Sequence, residues 1–146
     1  MLRIIQKVHK QTFGDTRIEI VATITNKAEA KGIEKLRPYD IPVNIIDHKD
    51  YDSREEFDTD LVNRIDFYKP DLVVLAGFMR ILTPVFTQNI KSINLHPSML
   101  PLFKGANAIE QSYGNTDQPA GISVHWVSDE LDGGSVIAQQ DLHRIE

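Results

Sequence analysis

Five consecutive apolar residues, Leu72-Val73-Val74-Leu75-Ala76, limit the folds open to this chain more than any other stretch. A strand with one wet face alternates polar and apolar residues, whereas a run without polar positions belongs between two covering layers, as at the centre of a parallel sheet. The flanking segments supply helices and further strands. Leu2, Ile5, Val8 and His9 recur at helical spacing, and Gly14-Asp15 marks a turn. Residues 18–25, rich in β-branched side chains, predict a strand, after which Asn26 can cap a second helix with Glu29 three residues on, closed by Pro38. Residues 43–47 predict a short strand. Ser53-Arg54-Glu55-Glu56 is a capping box, and Phe57, Leu61, Ile65 and Tyr68 form the buried stripe of the helix it opens, which Lys69-Pro70-Asp71 ends. Thr83-Pro84 starts another helix, and residues 107–113 predict a short one stopped by Gly114. Residues 121–127 and 136–142 complete the strands. This alternation predicts an α/β class: a Rossmann-like, doubly wound and mainly parallel sheet.

At 146 residues the chain suits one core. With no linker, low-complexity tract or internal repeat, a single domain over residues 1–146 is expected. A formal net charge of -5, without a cluster of Lys or Arg, argues against a nucleic-acid partner, since phosphate binding needs a basic surface. Cysteine is absent, which removes disulfides, thiol nucleophiles and thiolate-ligated zinc. No apolar run approaches the roughly 18 residues of a membrane span, and no signal-peptide core follows Met1-Leu2-Arg3. A cytoplasmic protein without a membrane partner is expected.

The chemistry-bearing residues gather in Ser92-Ile93-Asn94-Leu95-His96-Pro97-Ser98 and, further on, in Ser128-Asp129-Glu130-Leu131-Asp132-Gly133-Gly134. Alternation along a strand puts Asn94 and His96 on one face and turns Ile93 and Leu95 towards apolar packing on the other. Pro97 has no N–H for a ladder, so both polar groups should lie at the carboxyl end of the strand, where ligands bind in open α/β sheets. An Asn, a His and an Asp, with no glycine-rich phosphate loop and no nucleophile elbow, suit acyl transfer without a covalent intermediate. When an amine attacks a carbonyl, charge develops on oxygen, and the Asn94 amide and a protonated His96 can both donate to it. A nearby Asp132 carboxylate favours the imidazolium and can take the amine's proton, directly or through water.

Blander readings stand beside this one. The Asn-x-His tripeptide alone also fits an ordinary surface pair, and Asp132-Gly133-Gly134 alone fits a structural turn. His125, alternating with Val124 and Trp126, reads as a packed sheet histidine. A metal site from His96, His125 and Asp132 lacks a supporting helical His-x-x-x-His pair, so no metal is expected. Arg54 opposes the macrodipole in the first turn of its helix, either held for an anionic ligand or simply solvated. Arg80 follows the apolar strand in a loop, where ligand contacts gather.

Three ordered segments together resemble the phosphoribosylglycinamide formyltransferase family: Asp71-Leu72-Val73-Val74-Leu75-Ala76-Gly77-Phe78-Met79-Arg80-Ile81-Leu82, Ile93-Asn94-Leu95-His96-Pro97-Ser98-Met99-Leu100-Pro101, and the run from Ser123-Val124-His125-Trp126 to Asp132-Gly133-Gly134. The resemblance runs from about residue 21 onward. It implies the formyltransferase fold and transfer of a formyl group from 10-formyltetrahydrofolate to the amine of glycinamide ribonucleotide in purine synthesis. By resemblance, His96 is the proton donor, Asn94 holds the formyl oxygen, and Asp132 raises the histidine pKa and helps shuttle protons. Folate contacts would fall on Arg54, on Met79, Arg80, Ile81 and Leu82, on Asn94, and on Ser128, Asp129, Glu130, Leu131 and Asp132. A cis bond before Pro101 is implied as well. Two other outcomes stay open: a 10-formyltetrahydrofolate deformylase, in which water replaces the amine, and a noncatalytic folate-binding module. Ala76-Gly77-Phe78-Met79-Arg80 and Pro97 after His96 look more like the transferase.

Members of that family open with a strand and a Gly/Ser/Asn loop that binds the substrate phosphate. They close with a segment that helps hold the ribonucleotide and a final helix. Measured against them, this chain reads as truncated at both ends, which favours the noncatalytic module and predicts no transferase activity for the isolated chain. The family's first strand is central in a doubly wound sheet. Without it, the strands expected at residues 18–25 and 72–76 should not pair with each other.

Overall fold

The chain divides into two units, Met1–Pro70 and Asp71–Glu146, of which the computed structural model describes residues 1–142. In the first unit, helix α1 (Leu2–Val8) leads into a hairpin of β1 (Gln11–Phe13) and β2 (Thr16–Ile18). Strand β3 (Thr23–Thr25), helix α2 (Gly32–Leu36), strand β4 (Val43–Ile45) and helix α3 (Arg54–Tyr68) follow. Ile5 of α1, Leu36 of α2 and Ile41 form a core cluster on which Ile20, Tyr39 and Val43 pack. β3 and β4 are parallel, with Thr23 opposite Val43 and Thr25 opposite Ile45.

Helix α3 starts as its sequence dictates. The Glu56 N–H donates to Ser53 Oγ at 3.1 Å, while Glu56 Oε2 accepts from the Asp52 N–H at 3.1 Å, so two amides outside the helical ladder are satisfied reciprocally. It stops at Lys69, left-handed at φ 48, because Pro70 follows. Phe57, Leu61 and Ile65 are buried as the stripe predicts. Tyr68 is half-buried; its hydroxyl accepts from Asn44 Nδ2 of β4 at 3.0 Å, and Asn44 Oδ1 in turn accepts from Arg64 at 3.1 Å. These bonds tie the helix to the strand.

Two local expectations are corrected. The single strand over residues 18–25 is two strands in different pairings: Gly14, at φ +58, folds Thr16–Ile18 back onto Gln11–Phe13, and only Thr23–Thr25 joins β4. Asn26 does not cap α2. The Lys27 N–H goes to Thr25 Oγ1 at 3.3 Å and the Ala30 N–H to Lys27 O at 3.2 Å. The chain therefore turns before Gly32, and α2 begins with no side-chain cap.

The second unit is built on one sheet. Strand β5 (Val73–Leu75), helix α4 (Pro84–Thr87), strand β6 (Ser92–His96), helix α5 (Ala108–Gly114), strand β7 (Gly121–Trp126) and strand β8 (Val136–Asp141) succeed one another, and the strands lie in the order β5-β6-β7-β8. β5 and β6 are parallel, whereas β7 pairs antiparallel with both β6 and β8. The parallel part of the expected sheet is therefore β3–β4 and β5–β6, and antiparallel strands extend the second sheet. β5 is not central: among the described residues it is the edge of its sheet, so Leu72 and Val74 are exposed instead of covered on both faces.

Pro84 begins α4, where a missing N–H is tolerated, and Phe86 is fully buried behind it. The Leu100–Pro101 bond is cis, as the resemblance implied. No helix of the described residues is long and apolar enough to cross a membrane.

Candidate active site

The β6–β7 register determines which side chains meet. Asn94 lies opposite His125 and His96 opposite Ser123, so alternation puts all four on one face of the antiparallel pair. That face is polar and closed: His96, Ser123 and His125 are buried, and Asn94 is half-buried. The other face is more open than expected, since Leu95 is exposed and Ile93 only half-buried.

Asp132 reaches this face from the β7–β8 connection. Its Oδ1 lies 3.4 Å from Asn94 Nδ2 and 3.3 Å from His125 Nε2; its Oδ2 lies 3.4 Å from His96 Nδ1 and accepts the Gly105 N–H at 2.8 Å. The structure thus brings Asn94, His96 and Asp132 together, as the sequence predicted. The backbone is shaped to do so. Asp132 sits at φ 50, a left-handed conformation that Asp tolerates better than most residues. A Cβ on Gly134 would collide with the Trp126 carbonyl oxygen, so the close return of this connection to β7 needs glycine there.

The partners of the two rings bear on their protonation. His96 Nε2 lies 2.8 Å from the Phe103 carbonyl oxygen, which can only accept, so this nitrogen carries a proton. The ring's other nitrogen, Nδ1, faces the Asp132 carboxylate at 3.4 Å. His125 Nδ1 likewise donates to the Trp126 carbonyl at 2.9 Å, leaving Nε2 beside Asn94 Nδ2 at 3.3 Å and beside the Asp132 carboxylate. The side chains of His96 and Asp132 are 6% and 7% exposed, so little solvent lies between them. Among the described residues no His, Cys, Asp or Glu group has the arrangement of a metal site.

His125 is packed in the sheet, as expected, and its ring also lies against the Asp132 carboxylate. The available signal was Ser123 and His125 at period two, which becomes informative once β7 is known to pair with β6. The Phe103 carbonyl and Gly105 amide had no signal in their side chains.

The remaining predicted residues fall in three places. Arg54 opens α3 in the first unit and is exposed. Met79, Arg80, Ile81 and Leu82 follow β5, with Met79 and Ile81 exposed and Arg80 and Leu82 half-buried. Ser128, Asp129, Glu130 and Leu131 are exposed in the β7–β8 connection. Several of those side chains brace the scaffold: Asp129 accepts from Thr87 and from Gln88 of α4's end, Glu130 pairs with Lys104 at 2.9 Å, and the Ser128 hydroxyl donates to the Glu130 carbonyl at 3.2 Å. The Thr87 and Gln88 bonds hold the Asp129 carboxyl below its ordinary range.

Residues 2–146 match the formyl transferase family. The chain is 47% identical over 120 residues to phosphoribosylglycinamide formyltransferase of Escherichia coli (strain K12), covering 81% of this chain and 57% of that protein. It is 38% identical over 136 residues to formyltetrahydrofolate deformylase of Escherichia coli O6:H1, covering 92% of this chain and 48% of that one. The crystal structure of phosphoribosylglycinamide formyltransferase from Campylobacter jejuni superposes with a TM-score of 0.94 at 56% identity, over 97% of this chain and 74% of that one. The chain thus spans about half to three-fifths of the length of these two curated relatives.

Proposed function

Because the chain belongs to the formyl transferase family, we propose that it transfers a formyl group from 10-formyltetrahydrofolate to the amine of glycinamide ribonucleotide, by direct attack through a tetrahedral intermediate. The observation that carries this reading is the convergence of Asn94 Nδ2 and His96 Nδ1 on one carboxylate, each at 3.4 Å. Tight charge-assisted bonds are about 2.7–2.9 Å. Both donors therefore remain available to an incoming oxygen beside Asp132, while Nε2 stays anchored on the Phe103 carbonyl.

As the amine adds to the formyl carbon, the carbonyl oxygen gains charge, and Asn94 and the His96 imidazolium donate to it. Asp132 keeps the imidazolium paired beforehand and receives the proton lost by the amine, directly or through water. Collapse of the intermediate breaks the bond to the folate nitrogen, which leaves with a proton donated by His96, and the proton that the amine gave up to Asp132 restores the ring. Met79, Arg80, Ile81 and Leu82 offer a partly exposed, largely apolar edge for the folate, and residues 128–132 contacts through their main chain. This chemistry requires no metal. We infer further that the two units serve one formyltransferase-like domain, a reading supported by the family match running through both, and that the protein works in the cytoplasm on small molecules.

Incubation with the formyl donor, with and without glycinamide ribonucleotide, tests the proposal. Acceptor-dependent consumption supports it. Consumption without acceptor identifies a deformylase, and folate binding without consumption identifies a noncatalytic module.

A further inference from the structure

The turn after β6 is held by side chains from the two strands beyond it. The Ser123 hydroxyl on β7 is fully buried and uses its full capacity: it donates to the Ser98 carbonyl at 2.7 Å and accepts from the Leu100 N–H at 3.0 Å and from Gln139 Nε2 at 2.9 Å. The same Gln139 nitrogen, on β8, donates to the Leu100 carbonyl at 2.8 Å. Both its protons are therefore engaged, one on each side of the Leu100 peptide's hydrogen-bonding site. Three residues on, the chain presents the Phe103 carbonyl to His96 Nε2 at 2.8 Å, with Phe103 left-handed at φ 54. Ser98 Oγ closes the turn on the Leu102 carbonyl at 2.5 Å.

We propose that Gln139 is a positioning residue: by clamping the Leu100 carbonyl and the Ser123 hydroxyl, it fixes the turn that sets the Phe103 carbonyl against the His96 ring. Gln139 acts through the turn and touches neither His96 nor the reacting atoms. Its backbone lies opposite Ser123 in the β7–β8 register, which aims its amide at this turn from an otherwise exposed strand. The catalytic consequence rests on the reading of His96 as the proton donor. The structural claim does not.

The test is Gln139→Met, which keeps the side chain's length and removes both donors. In the 146-residue chain, ring 15N spectra of His96 should change, because Nε2 loses its fixed acceptor, while those of His48 in the first unit stay as in the parent. An unchanged His96 spectrum in a folded variant overturns the proposal. Should Gln139→Met fail to fold, Gln139→Asn retains an amide one methylene too short to reach and is read the same way. The parent protein adds a measurement that needs no variant: slow exchange of the Gln139 side-chain amide protons supports the clamp, and exchange at the solvent rate refutes it. In a protein competent for transfer, kcat should fall about 10- to 100-fold with KM for the formyl donor within about twofold, since misplacement of a reacting group by about 1 Å costs up to that much. A variant with parental kcat overturns the catalytic consequence. Altered ring spectra without any formyl transfer in the parent would instead refute the proposed function and leave the clamp standing.

Discussion

Asp132→Asn changes few atoms and should change much. The carboxylate accepts from Gly105 and faces Asn94, His96 and His125, so every polar neighbour it has is positioned as a donor or can become one. An asparagine cannot serve this set in either orientation. With its NH2 in place of Oδ2, it points hydrogens at the Gly105 N–H and at His96 Nδ1; turned over, it points them at the Asn94 amide. At 7% exposure no water replaces the lost acceptor readily. Each buried donor left without its acceptor, the Gly105 N–H and Asn94 Nδ2 among them, costs about 1–3 kcal/mol, so the change should cost about 3 kcal/mol or more in all. With a urea dependence of about 1–3 kcal/mol per molar, the unfolding midpoint should fall by at least about 1 M. Trp126, the only tryptophan in the chain, lies on β7 next to His125 and reports the transition of this unit by fluorescence. The 15N spectrum of the His96 ring should also change, because the group 3.4 Å from Nδ1 is no longer a carboxylate. If the midpoint and the His96 spectrum both match the parent, Asp132 is not the hub of the cluster and the reasoning fails.

Asn94→Ala should spare folding and lower transfer by about 100- to 1000-fold, the usual effect of losing one oxyanion donor, as measured by single-turnover formyl transfer. Ser123→Ala should destabilise the second unit by at least about 2 kcal/mol, because the buried Leu100 N–H and Ser98 carbonyl lose their partner together, each at about 1–3 kcal/mol; equilibrium unfolding reads this directly. In the first unit, the Tyr51 phenol donates to Asp60 at 2.6 Å, and that bond, with burial, pushes its pKa up to about 12. A raised folded value means this contribution to stability is complete below the unfolded value of about 10 and is lost as pH climbs towards 12. Asp60→Asn should bring the Tyr51 titration down, as followed by phenolate absorbance against a Tyr51→Phe control.

What the sequence made legible was chemistry confined to one element. Ser53 and Glu56 cap a helix within a single turn, and Phe57, Leu61 and Ile65 are buried by its period alone. Asn94 and His96 share a strand face for the same reason, since two residues always return a strand to its side. What escaped depended on partners distant in the chain. The run over residues 18–25 has one propensity throughout, yet Gly14 sends its first part into a hairpin while β4 recruits its last. The apolar stretch at β5 has the composition of a covered strand, but cover comes from neighbours, and Val74 is 46% exposed beside an unpaired edge among the described residues. Left-handed Phe103 is not a residue that announces a positive φ.

The antiparallel register of β6 and β7 links what was read to what was missed. Shifting that register by one residue would turn Ser123 and His125 away and bring Val124 and Trp126 to face Asn94 and His96. The pairing is therefore as necessary to the site as the side chains themselves. Two features hold it against such a slip: the buried Ser123 hydroxyl locks β7 to the turn that follows β6, and Gly134 lets the chain return close to Trp126 with Asp132 already in place. The residues that secure the strand pair also carry the turn bearing the Phe103 carbonyl and the connection bearing Asp132. Precision at His96 is consequently obtained from both sides of the ring by the same two strands, without a single rigid element having to supply it alone.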